Sequence, residues 1–191
     1  MKTLERGFKA WAERTSLAIR RELGTTADDA LCPFKLSEYL DVELWTPSQV
    51  PGITQDILTQ LLNNDPWGWS ATSFQVNDKC IVIYNPTHSD GRKSSDIMHE
   101  LSHHILAHQP ATVILSLELV NVRMRSFDQK QEDEANCLAW ALLLPREGLL
   151  RAKRRSKTVE QIADQYGVTK SLVNYRINSS GIERQVRASR Y

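Results

Sequence analysis

Apolar residues recur along this chain with two periods, one of three to four residues and one of two, and the switches between them outline its elements. Over residues 4–23, LERGFKAWAERTSLAIRREL sets Leu4, Phe8, Trp11, Ala18 and Leu23 toward one side, the spacing of a surface helix covering a core, and Gly24 supplies a stop. PFKLSEYLDVELWTPSQV reads as a second short helix followed by a strand at VELW, broken by Pro47 and by Pro51-Gly52. ITQDILTQLLNN returns to helical spacing up to the turn NNDP. WGWSATSFQV and KCIVIYN, joined by Asn77-Asp78, predict an antiparallel pair of strands, the second apolar enough to be central. The loop PTHSDGRKSS then leads into a helix with Ser94 or Ser95 as its N-cap, ended by Pro110. Residues 111–126 are rich in β-branched side chains and predict a strand, although helical spacing also fits them. From Asp128 to Leu144 the pattern is helical, and Pro145 closes it.

These elements predict an α+β fold, mostly helical, with a small, mainly antiparallel sheet packed on the helix that contains residues 96–105. With 191 residues, 41% of them apolar, the chain can fill one ordinary core plus an appendage. Charge marks where the appendage begins: residues 1–145 carry a net −6 and residues 146–191 a net +7, within a whole-chain charge of +1. The expected division is a main domain over 1–150 and, over 151–191, a basic linker (RAKRRSK) followed by a helix-turn-helix-like segment. Cys32, Cys80 and Cys137 are odd in number and never spaced as CxxC, which argues against a disulfide framework and against a thiolate metal site. No apolar run approaches a membrane span, and the charged N-terminus is unlike a signal peptide, so a soluble cytoplasmic protein is expected.

The chemistry concentrates in SDIMHELSHHILAHQP, which holds four of the five histidines. Residues four apart on a helix share a face with an axial offset of about 6 Å, so His99 and His103 can converge on one tetrahedral zinc ion. Glu100, rotated off that axis, can reach a zinc-bound water as a general base. The alternative is a helix that is merely rich in histidine; Ile97, Leu101, Ile105 and Leu106, which would anchor the segment, favour the metal. His104 and His108 form a second i, i+4 pair, turned by about 100° from the first, and suit a surface or supporting role. His88, or Tyr84, is a candidate donor to substrate or to an oxyanion, although His88 also suits an ordinary turn.

Two histidines leave zinc incomplete, and FDQKQEDEANCLAWALLLP offers a third ligand. Glu132 lies in line with Ala135, Asn136 and Ala139, the small-residue side that would allow close helix approach, whereas Glu134 lies in line with Leu138 and Leu142. Glu132 is therefore preferred to Glu134, with Asp133 third, against the alternative that all three cap the helix dipole. Asn136, polar within an apolar run, suits a hydrogen bond to a ligand histidine.

Together SSDIMHELSHHILAH and QEDEANCLAWALLLP resemble the ImmA/IrrE family of metallopeptidases, whose second motif runs approximately E-x-x-A-N/D-x-F-A-x-x-L-L-M-P. The resemblance is close over residues 80–145 and looser toward both ends. Ser102 stands where the family usually has Gly, Leu138 where Phe is usual and Leu144 where Met is usual. The resemblance implies a gluzincin-like layout with His99, His103 and Glu132 as zinc ligands, Glu100 as general base and Asn136 behind the ligands. It further implies limited cleavage of a protein substrate, a helix-turn-helix transcriptional repressor, in a stress-response or mobile-element switch. Manganese could replace zinc in the cell.

In the tail, TVEQIADQYGVTKSLVNYRINSSGI has Thr158 and Thr169 as helix caps and Gly167 as the turn between two short helices, the spacing of a helix-turn-helix. Lys170, Ser171, Asn174 and Arg176 on the second helix are able to meet phosphates or bases, so DNA is a candidate partner. Leu172, Val173 and Ile177 could equally dock the tail onto the main domain. The competing function is a DNA- or protein-binding regulator that uses this tail, with a metal site that is not catalytic.

Overall fold

KCIVIY, the most apolar of the predicted strands, forms β3 (Lys79–Tyr84), and Cys80, Ile81 and Val82 are buried along it. Its neighbours are β1 (Val42–Trp45), parallel to it, and β2 (Ala71–Val76), antiparallel to it. Beyond β2 the sheet continues through β5 (Val120–Met124) to β4 (Leu115–Leu117), both added antiparallel, in the order β1-β3-β2-β5-β4. The segment expected as a strand between residues 111 and 126 thus contributes two. The computed structural model describes residues 4–76, 79–108, 115–117, 120–124 and 128–188.

Helix α1 (Phe8–Glu22) leads into α2 (Pro33–Tyr39), and α3 (Gln55–Thr59) runs on into a π turn over Gln60–Asn64. The histidine segment is α4 (Asp90–Ile105), packed on β2 and β3 and, on its other side, on α5 (Gln129–Leu143). Ile97, Met98 and Leu101 of α4 and Leu138, Leu142 and Leu143 of α5 belong to one buried cluster. Asp128 caps α5, its carboxylate accepting from the backbone N–H groups of Lys130 and Gln131.

The start of α4 corrects the expectation of a cap at Ser94 or Ser95: the helix opens about a turn and a half earlier, with Ser89 at the N-cap position. Tertiary packing explains the extra turn, because Gly91 lies against the backbone of Val168 and Thr169, where an added Cβ would stand 3.2 Å from two backbone atoms. The expected face packs on the core through Leu4, Phe8 and Leu23, but the fully buried positions of α1 lie to one side of it. Ala12, Ser16 and Arg20 are buried, while Trp11 is exposed. Ser16 Oγ donates to the carbonyl of Ala141 at 2.7 Å, and Arg20 donates to the carbonyls of Leu142, Thr26 and Asp29. Two polar side chains thereby satisfy the carbonyls at the end of α5 and of the loop after α1.

Residues 151–154, expected as linker, are instead the last turn of α6 (Arg146–Arg154), whose Leu149 and Ala152 are buried and whose Gly148 presses against Ala27 O and the Tyr166 hydroxyl. Next come α7 (Val159–Tyr166), with a capping box at Thr158, and α8 (Lys170–Ser180), capped by Thr169. Gly167 between them has φ 62°, a left-handed turn suited to glycine. A last helix, α9 (Ile182–Ala188), follows. Ile162, Tyr166, Val168, Leu172, Val173, Ile177 and Ile182 join the same cluster as α4 and α5, so the tail packs into the main core. Among the described residues, no helix is long and apolar enough to cross a membrane.

Candidate metal centre

Against the sheet, α4 turns His99 and His103 toward the first turn of α5, where Glu132 meets both. His99 Nε2 lies 3.1 Å from Glu132 Oε2, His103 Nε2 lies 3.5 Å from Glu132 Oε1, and the two Nε2 atoms are 3.0 Å apart. A small tetrahedral metal ion with N and O ligands at about 2.1 Å has donor–donor edges of roughly 3.4 Å. All three spacings fall close to that edge, and among the described residues this trio is a group able to hold a metal ion. His103 is buried, while His99 and Glu132 are partly exposed. The site is therefore anchored in the core and open on one side. The donors fit a metal ion of borderline softness, two neutral imidazoles and one carboxylate.

Glu100, which follows His99 on α4, is buried, and Ser73 of β2 donates to its Oε2 at 2.6 Å. Sequence reasoning missed Ser73. Only the strand alternation, which puts Ala71, Ser73 and Gln75 on one face of β2, bears on it, and a serine there carries no signal of its own. Cys80 lies nearby on β3, its thiol pushed up to about 11 by burial first and by the charge of Glu100 second.

Glu134, the competing third ligand, points elsewhere. Its Oε2 lies 3.2 Å from His108 Nε2, and His108 Nδ1 in turn lies 2.8 Å from His103 Nδ1. His104 and His108 therefore do not form a second pair along the helix. Helix α4 ends at Ile105, before Pro110, which lies outside the described residues. Ala107 adopts φ 50°, and the N–H groups of Ala107 and His108 bond back to the carbonyls of His104 and His103. This is a Schellman ending, in which glycine is the usual left-handed residue, and alanine there costs about 1 kcal/mol. Its result is that His108 folds back beside His103 while His104 stays exposed.

His88 and Tyr84 are held by contacts of their own. His88 is buried, with Nδ1 3.1 Å from Asp96 Oδ2, Nε2 3.1 Å from Pro66 O, and its ring stacked on Trp67. It fastens the loop before β2 to α4. Tyr84 packs edge-on against Phe34 of α2 and onto the core. Asn136 is half-buried on α5, one turn beyond Glu132, and the group at His103 Nδ1 is the imidazole of His108.

In the tail, Lys170, Ser171 and Asn174 are exposed on α8, but Arg176 is not with them. Its guanidinium is buried, donating to Leu144 O at 2.9 Å and to Glu13 Oε1 at 2.5 Å, so it is a packing residue and no part of a nucleic-acid face. Arg176→Ala is expected to lower stability by about 3 kcal/mol, because it strips a buried carbonyl and a partly buried carboxylate of their donor. Denaturant unfolding of the variant checks this, and a loss below about 1 kcal/mol would count against the pairing.

A sequence profile described as Peptidase_M78, IrrE N-terminal-like domain, matches residues 57–178. No curated protein matches the sequence significantly. Among solved structures, a Mycobacterium tuberculosis transcriptional regulator superposes with a TM-score of 0.54 at 14% identity, covering 91% of this chain and 47% of its own. The chain thus spans about half the length of that regulator, and at this identity the likeness is one of fold.

Proposed function

The chain belongs to the Peptidase_M78 family of IrrE N-terminal-like domains, and from this premise we propose that it is a zinc-dependent endopeptidase making limited cuts in a protein substrate. The observation that carries the reading is the spacing of His99, His103 and Glu132 at the edges of a metal tetrahedron, with Glu100, the residue after His99 on α4, buried. Three protein donors are the catalytic complement, since structural zinc sites close with four. When bound, the ion supplies Lewis acidity toward a peptide carbonyl and makes water acidic enough to react near neutral pH.

The chain's own residues do the rest. Glu100 accepts a proton from the attacking water and passes one to the departing amine nitrogen, with Ser73 holding its Oε2 so that the carboxylate keeps one orientation. Burial of Glu100 strengthens both transfers by excluding competing water. The substrate class proposed is a helix-turn-helix transcriptional repressor, cut in the cytoplasm. The family resemblance supports this choice.

The test is to incubate the full chain, with zinc supplied, with a proteome-derived peptide library and to count new termini by mass spectrometry. Cleavage is expected, lost on chelation and restored by zinc. No cleavage with zinc present, or cleavage indifferent to the chelator, would overturn the reading. The substrate class fails if folded helix-turn-helix repressors from the same cell stay whole while unfolded peptides are cut.

A further inference from the structure

We propose that His108 and Glu134 form a buried relay that fixes the tautomer and aim of His103, and so tune the metal site from behind. The proposal rests on the reading of His99, His103 and Glu132 as the metal-holding trio. Its geometry is a continuous line: His103 Nδ1 to His108 Nδ1 at 2.8 Å, then His108 Nε2 to Glu134 Oε2 at 3.2 Å. Side-chain exposures of 3%, 7% and 14% along the line leave it largely enclosed, with Glu134 at its more open end. The other oxygen of Glu134 faces Lys130 Nζ at 3.9 Å, which anchors the outer end.

The direction of the hydrogens follows from the donor inventory. His103 Nε2 faces His99 and Glu132, and it can give a lone pair to a cation only if the ring carries its hydrogen on Nδ1. A single hydrogen occupies the bond between the two Nδ1 atoms, so His108 Nδ1 must accept it. The hydrogen of His108 then lies on Nε2, aimed at a carboxylate oxygen that can only accept. Reversing the line would place the hydrogen of His103 on Nε2, where it would block the cation. Glu134 therefore sets the polarity of the whole line.

Local structure holds the relay in place. The left-handed Ala107 and the bond from His108 N–H to His103 O, 3.1 Å long, bring the two rings to a centroid distance of 4.9 Å. The two glutamates of QEDE thereby divide their work, Glu132 toward the trio and Glu134 toward the imidazole behind it. Groups hydrogen-bonded to ligand histidines typically change metal affinity by roughly ten- to hundredfold when removed.

The experiment measures zinc affinity of the full chain by chelator competition for wild type, His108→Leu, His108→Asn and Glu134→Leu, with tautomers read by long-range proton–nitrogen NMR of the zinc-loaded wild type. His108→Leu and Glu134→Leu are expected to weaken zinc binding by about ten- to hundredfold. His108→Asn, whose amide oxygen can accept from His103, should recover most of the loss. The NMR should show Nδ1–H on His103 and Nε2–H on His108. Wild-type affinity in His108→Leu, or the opposite tautomers, overturns the relay while leaving the trio intact. If His108→Leu does not fold, Glu134→Leu decides alone, and wild-type affinity there rejects the proposal. A wild-type chain with no zinc bound at the trio removes both the metal reading and the relay.

Discussion

Glu100→Gln is expected to keep its fold and its zinc and to lose peptide cleavage by about two to four orders of magnitude, the usual contribution of a general acid–base group. In barrier terms this is roughly 3–5 kcal/mol. The amide matches the carboxylate in shape and can still accept from Ser73 Oγ, so the buried contact survives. What it lacks is the ability to take a proton. Rates of appearance of new termini, measured for variant and wild type at equal zinc content, check the expectation. A variant that cleaves within a few-fold of wild type would remove Glu100 from the mechanism.

Glu132→Ala is expected to weaken zinc binding by at least about a hundredfold, beyond the range found for outer partners. The change leaves two imidazoles and no carboxylate at a site whose three donor spacings are 3.0, 3.1 and 3.5 Å. Glu134→Gln should lose less, since its amide oxygen can still accept from His108 Nε2. The reverse ranking, measured by chelator competition, would exchange the roles of the two glutamates. Such an outcome would also dismantle the relay behind His103.

Sequence reasoning reached the centre of this molecule further than its edges, for physical reasons visible residue by residue. The HELSH string of residues 99–103 could be placed on a helix because Ile97, Leu101 and Ile105 mark a face, and a helix fixes the direction of His99 and His103. The preference for Glu132 came from the small side chains of Ala135 and Ala139, and the structure brings Glu132 to both histidines and Glu134 to His108. Polar residues that complete the core were not legible. Ser16 and Arg20 are buried because the ends of α5 and of a loop need donors, a demand that exists only after the chain has folded. Arg176 satisfies Leu144 in the same way; on a helical wheel it falls between Leu172 and Val173, on the apolar side of α8, and grouping it with Lys170, Ser171 and Asn174 overlooked that placement. His108 was misplaced because a continuing helix was assumed where Ala107 turns left-handed, a conformation that alanine does not advertise.

The early start of α4 and the helical course of residues 151–154 share a different cause. Both segments are rich in polar or charged residues, DGRKSS and RAKR, and read locally as loop. Contacts distant in sequence decide them, Gly91 against the Val168–Thr169 backbone and Gly148 against Ala27 and Tyr166. Local propensity is a weak prior of a few tenths of a kcal/mol per residue, and packing at these two glycines outweighs it.

Elemental analysis of the purified full chain beside His99→Ala, both supplied with zinc at neutral pH, tests the central claim most directly. The account predicts about one zinc per wild-type chain and far less in the variant. Equal zinc in both proteins, or none in the wild type, would contradict it.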